Sequence, residues 1–296
     1  MSQINQEYKD RLFTFIFGRE ENREWTLSLY NAVNGSHYTD ASAIEITTIK
    51  EVIYMGMHND VSFLVGNEMN LYEQQSTYNP NMPLRHMQYL GNLYESYIKR
   101  RKLNKYGKNL IQLPVPRFIV FYNGMKNIGD ETILRLSDAF PAGAKADVEV
   151  TVRMLNINYG HNQALLEASK PLMEYAWFVH EIRNRLKRDM DIKEAVDSAI
   201  DDIPDTFTLR SFLTLHKLEI GTMLLTEFDA VEHDEIVFNE GKAEGRAEGR
   251  AEGKAEALIN MMRELKLTFE QAAQVLHIAP EEYALYKESI IHNQIF

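Results

Sequence analysis

The chain contains no cysteine among its 296 residues, which excludes disulfides and thiolate-zinc sites and fits a reducing, cytoplasmic setting. It also lacks any apolar run long enough to span a membrane. The opening "MSQINQEYKDRLFTFIFGREENREW" mixes charges throughout, so neither a signal peptide nor a membrane partner is expected. There is no Gly-x-x-x-x-Gly-Lys loop, which argues against ATP hydrolysis of that type, and no His-Glu-x-x-His pair. No nucleophile-elbow serine is visible, and the nine histidines are scattered. What is present is core material: 45% of residues are hydrophobic, ample for one large domain or two smaller ones.

One stretch carries chemical promise. In "NDVSFLVGNEMNLYEQQST", residues 59–77, two apolar-rich runs flank Gly66-Asn67, a two-residue hairpin signal. With those two residues as the turn, Val65 faces Glu68, and the same register sets Asp60 opposite Glu73. Side chains alternate along a strand, so Glu73 and Gln75 share a face with Asp60 beside them. Directly opposed like charges are destabilising. Three resolutions are open: solvation of the pair, protonation of one member, or a hard cation bridging both.

Charge is unevenly spread. The whole chain carries −11, yet nine basic residues lie between Arg85 and Lys126 against one acid, Glu95, a local +8. A basic block beside carboxylates can attract a phosphate backbone. Arg85, Lys99, Arg100, Arg101 and Lys102 are the candidate DNA contacts. "YIKRRKLNKYGKN" also reads as the basic C-terminus of a helix followed by a turn.

Periodicity predicts a helix over 20–34, stopped at Asn34-Gly35, with Trp25, Leu29, Ala32 and Val33 as its apolar stripe and Glu21 beside it. A strand-like "AIEITTI" precedes the hairpin, and a Pro- and Asn-rich loop leads into a helix at about 84–102. "RFIVFYNG" and "DVEVTVRMLNIN" read as strands, and 162–188 as mostly helical with Pro171 as a break or kink. Mixed elements of this kind suggest an α/β fold around a mixed sheet.

From Glu240 the chain reads "EGKAEGRAEGRAEGKAEA", with Gly at every fourth position. Each internal Gly costs a helix about 1 kcal/mol against Ala, and the four-residue spacing aligns like charges. Either a linker or a self-associating helix results, the latter making a homo-oligomer. Beyond it, Thr268 and Gln271 have capping-box spacing. The organisation expected is a domain over 1–235, the repeat over 236–257 and a small helical segment over 258–296.

The hairpin, taken with the upstream "FGREENREWTLSLYNAVNG" and the downstream "FIVFYNG" and "VRMLNINYGHN", resembles the recombination-promoting nuclease family of transposase-like proteins. That family sits within the PD-(D/E)xK nuclease superfamily. The resemblance covers about residues 10–190, and the repeat tail is also typical. It implies a restriction-endonuclease-like fold, a mixed sheet flanked by helices with a helical C-terminal tail. By the same resemblance Asp60 is the metal-binding aspartate and Glu73 the acid of the (D/E)-x-K element. Gln75 stands where the superfamily has lysine, and Asn59 where it often has proline. Glu21 is the best match for the helix-one acid, with Glu24 the runner-up. The implied activity is Mg²⁺-dependent (or other divalent cation) hydrolysis of DNA phosphodiesters, in recombination or mobile-element biology. The alternative is a non-catalytic DNA-binding or oligomeric scaffold that keeps the fold.

Overall fold

The computed structural model describes residues 12–47, 60–188, 190–224, 253–283 and 286. The chain divides into two compact units, 1–229 and 230–296.

The first unit is α/β. Its six-stranded mixed sheet runs β1 (Ile44–Ile46), β2 (Val61–Val65), β3 (Glu68–Gln75), β4 (Val115–Tyr122), β6 (Thr151–Asn156) and β5 (Glu131–Arg135), in that spatial order. β1, β2 and β3 are antiparallel; β3, β4 and β6 are parallel, and β5 returns antiparallel to β6 at the edge. The hairpin is as its sequence predicts: Gly66 turns at φ 55°, and Val65 pairs with Glu68. A glycine is required there because a side chain at that positive φ would be strained.

Strand alternation divides the core into two layers. Phe63, Val65, Tyr72, Ile119 and Phe121 face one side. There they meet α1 (Leu12–Phe17), α2 (Arg23–Asn34), α4 (Gln163–Ala168), α5 (Lys170–Leu186), α6 (Ile192–Asp201) and α7 (Arg210–Leu215). Leu64, Met69 and Leu71 face the other side, against Tyr89 and Leu93 of α3 (Met82–Arg100). Phe121 touches Phe13 and Tyr72 at ring distances of 5.1 and 5.3 Å, tying the helical layer to the middle of the sheet.

Local signals explain the boundaries, with one correction. α2 ends at Gly35, left-handed at φ 62°, whose N–H reaches Asn31 O. It buries Thr26, Leu27, Leu29 and Tyr30, a face rotated from the predicted stripe, because α1, α4 and α5 all pack on it. Of the break and the kink expected at Pro171, the structure has the break. The chain leaves helical geometry at Ser169, and Pro171 sits in the first turn of α5, where its missing N–H costs nothing.

In the second unit, a helix over 253–264 and another over Phe269–Val275 bury Leu258, Phe269, Ala272, Ala273 and Ile278 together. Thr268 and Gln271 form the expected capping box. The repeat lies outside the described residues up to 252 and is helical from Gly253. Among the described residues no helix is long and apolar enough to cross a membrane.

Candidate active site

The site grows from the end of the hairpin. Val61 pairs with Tyr72, so Asp60, one residue earlier, comes to the level of Glu73. Asp60 Oδ2 accepts the backbone N–H of Gln74 at 2.7 Å, which pins the aspartate to the end of β3. Glu73 and Gln75 follow Met69 and Leu71 on the face covered by α3. Glu73 is only 1% exposed and Gln75 is buried. Gln75 Nε2 donates to Glu73 Oε2 at 3.4 Å, a long contact.

α3 then supplies two further groups. Its apolar positions Met82, His86, Tyr89 and Leu93 recur at helical spacing and pack on the sheet. Arg85, on the flank of that stripe, places its NH2 3.2 Å from Glu73 Oε2. Its Nε and NH2 donate to the Tyr89 hydroxyl at 3.3 and 3.0 Å, one helical turn away. Burial works against the Arg85 charge, but Glu73, Tyr89 and Asp60 outweigh it and hold the guanidinium above its ordinary pKa. Burial and then Glu73 push the Tyr89 phenol up, so it remains protonated at neutral pH. Both carboxylates therefore act on one guanidinium. Sequence reading places Arg85 only on a DNA path and omits Tyr89; the available signal was the Arg–Tyr spacing of four on the helix after the hairpin.

A polar chain on the opposite face fixes the end of β3. Gln74 Nε2 donates to Asn123 Oδ1 at 2.6 Å, and Asn123 Nδ2 donates to the Tyr175 hydroxyl at 3.2 Å. The "FYNG" turn thus does more than end a strand: its asparagine braces the strand that carries Glu73 and Gln75.

The structure does not bring every expected residue here. Glu21 lies in a short turn before α2, is 61% exposed, and pairs with Arg19 at 3.2 Å. Glu24 lines a groove of about 840 Å³ between α2 and residues 35–42. Among the described residues, no three His, Asp or Glu side chains stand close enough to share a metal, so neither glutamate completes a trio with Asp60 and Glu73. The reason is topological: α2 packs on the face of the sheet opposite α3.

The basic block is also resolved differently. Arg85 is at the N-terminal end of α3 and Arg100 at its C-terminal end, about 22 Å apart at 1.5 Å per helical residue. Arg100 and Arg101 pair with Glu45 at 3.3 and 3.0 Å. Of the five basic candidates Arg85 alone adjoins the carboxylates, and Lys99–Lys102 lie at the other end of α3.

The donor set remains suited to a hard cation. Two carboxylates and an amide oxygen on adjacent strands are ligands for Mg²⁺ or Mn²⁺, which need only one or two carboxylates with waters and phosphate completing the shell. Comparison with protein-family models, with curated proteins and with solved structures gives no match for this chain.

Proposed function

We propose that this protein is a divalent-metal-dependent DNA endonuclease of the PD-(D/E)xK type, related to the recombination-promoting nucleases and acting in the cytoplasm. The observation that carries the reading is the hairpin register, which draws Asp60 and Glu73 together at the end of β3. The surrounding order supports it: an antiparallel hairpin, then α3, then β4 parallel to β3, gives the acidic strand a central place in a mixed sheet.

Asp60 and Glu73 would hold the cation. When bound, Mg²⁺ lowers the pKa of a ligated water and offsets the charge on a phosphate under attack. Glu73 supplies a carboxylate from a nearly dry position, where its interaction with charge is strong. The Gln74 N–H orients Asp60. Gln75 offers an amide that can orient water but cannot supply the charge of a lysine. Arg85 is the cationic side chain at this patch and is 31% exposed, so it can meet a phosphate arriving from solvent.

The rival reading, a DNA-binding or oligomeric scaffold without catalysis, is favoured by one observation: Glu73 is already paired with Arg85. Supercoiled plasmid incubated with and without Mg²⁺ separates the two. Nicking that requires Mg²⁺ and disappears in Asp60→Asn and Glu73→Gln is the expected result. Equal nicking by parent and both variants sinks the assignment.

A further inference from the structure

Two carboxylates brought together across a hairpin need a counter-charge, and here a side chain provides it. Glu73 Oε2 receives the Arg85 guanidinium at 3.2 Å and the Gln75 amide at 3.4 Å. Asp60 acts on the same guanidinium. Tyr89 holds it from behind at 3.0 and 3.3 Å. Arg85 is thus the cationic partner of Glu73, with Asp60 adding a weaker attraction. A divalent ion placed on Glu73 beside it would face a like charge at close range in a partly dry site, where repulsion is poorly screened. The two partners differ in their access to water: Glu73 is 1% exposed, whereas the Arg85 side chain is 31% exposed and has a route outward.

We propose that Arg85 and a divalent cation are mutually exclusive partners of Glu73. The arginine is the resident counter-ion of Glu73, and the cation binds as the guanidinium withdraws toward solvent. This rests on the reading that Asp60 and Glu73 hold a cation. It adds a consequence for the free protein: cation affinity is set partly by the strength of an internal ion pair. Breaking a buried pair is costly unless the charge left behind is compensated, and here the incoming cation supplies that compensation.

The test is Mn²⁺ binding to the full chain without DNA, read by electron paramagnetic resonance of the free ion. Arg85→Gln should bind Mn²⁺ more tightly than the parent, by about 10-fold, within the range of couplings between ligands at linked sites. Arg85→Lys, which keeps a charge, should fall nearer the parent, and Glu73→Gln should weaken binding in both backgrounds. Unchanged or weaker binding by Arg85→Gln, with Glu73 dependence intact, overturns the exclusion and leaves the nuclease reading standing. Absence of Glu73-dependent Mn²⁺ binding in both parent and Arg85→Gln removes that reading and the inference with it. Should Arg85→Gln not fold, the parent decides by magnetic resonance of the Arg85 Nε–H during Mg²⁺ titration. A signal that moves with saturation is expected, and one that stays in place refutes the exchange.

Discussion

Acid should loosen this protein through one buried histidine. His86 is fully buried on the inner face of α3, with its ring 5.2 Å from that of Phe118. Its Nδ1 lies 2.9 Å from Met82 O, and since a carbonyl can only accept, Nδ1 carries the proton of the neutral ring. Burial lowers its pKa from 6.5 to about 4, with the Met82 carbonyl opposing and the Arg85 charge assisting. The unfolded chain therefore takes up a proton on His86 below pH 6.5, while the folded protein resists until about 4. Stability from this group is fully present above the unfolded value and is lost as pH falls through the window. At 1.36 kcal/mol per unit, the loss between pH 7.5 and pH 4.5 is about 2.5 kcal/mol. Other groups titrate in the same range, so the quantity to measure is a difference between proteins. Urea melts of the parent and His86→Gln, followed by circular dichroism at both pH values, isolate it. The variant should be weaker at pH 7.5 by about 1–2 kcal/mol, having lost ring packing. At pH 4.5 it should equal or exceed the parent. A gap that stays constant within about 0.5 kcal/mol would show that His86 titrates normally and refute the reasoning.

Two further outcomes are expected. Phe121→Ala should cost about 3–5 kcal/mol in the same melts, because it empties a site between Phe13, Tyr72 and the sheet; a cost below about 1 kcal/mol would mean the layers do not depend on this contact. On the nuclease reading, neutralising Lys99, Arg100, Arg101 and Lys102 together should weaken DNA binding and flatten its salt dependence, while leaving Mn²⁺ affinity at the carboxylates within about twofold of the parent, since the two ends of α3 lie beyond a Debye length in 0.1 M salt. An unchanged salt slope would move the DNA path elsewhere.

What could be read from the sequence was local. Gly66-Asn67 between alternating runs fixes both turn and register, so the approach of Asp60 to Glu73 was legible from spacing alone. Asn34-Gly35 and the Thr268–Gln271 pair likewise carry their own stereochemistry. The partners of Glu73 were not legible, because the Arg85 contact depends on how α3 lies over β3, a packing choice that helical periodicity leaves open. β5 escaped notice as a five-residue edge strand, exposed at both ends and too short for a clear alternation. The four basic residues at 99–102 share a helix with Arg85, yet that rigid helix converts sequence separation into distance and sets Arg100 and Arg101 against Glu45, which pairs with Leu64 near the hairpin turn and away from the carboxylates.

That conversion makes α3 a ruler. Duplex DNA rises 3.4 Å per base pair, so the span of about 22 Å from Arg85 to Arg100 corresponds to about six or seven base pairs. On the nuclease reading, a duplex lying along the helix would be gripped that far from the bond being cut. Substrates trimmed to fewer pairs on that side would reach the carboxylates without reaching the lysines and arginines. A minimum substrate length would then be written into the number of turns in one helix, and adding or removing a turn would reset it.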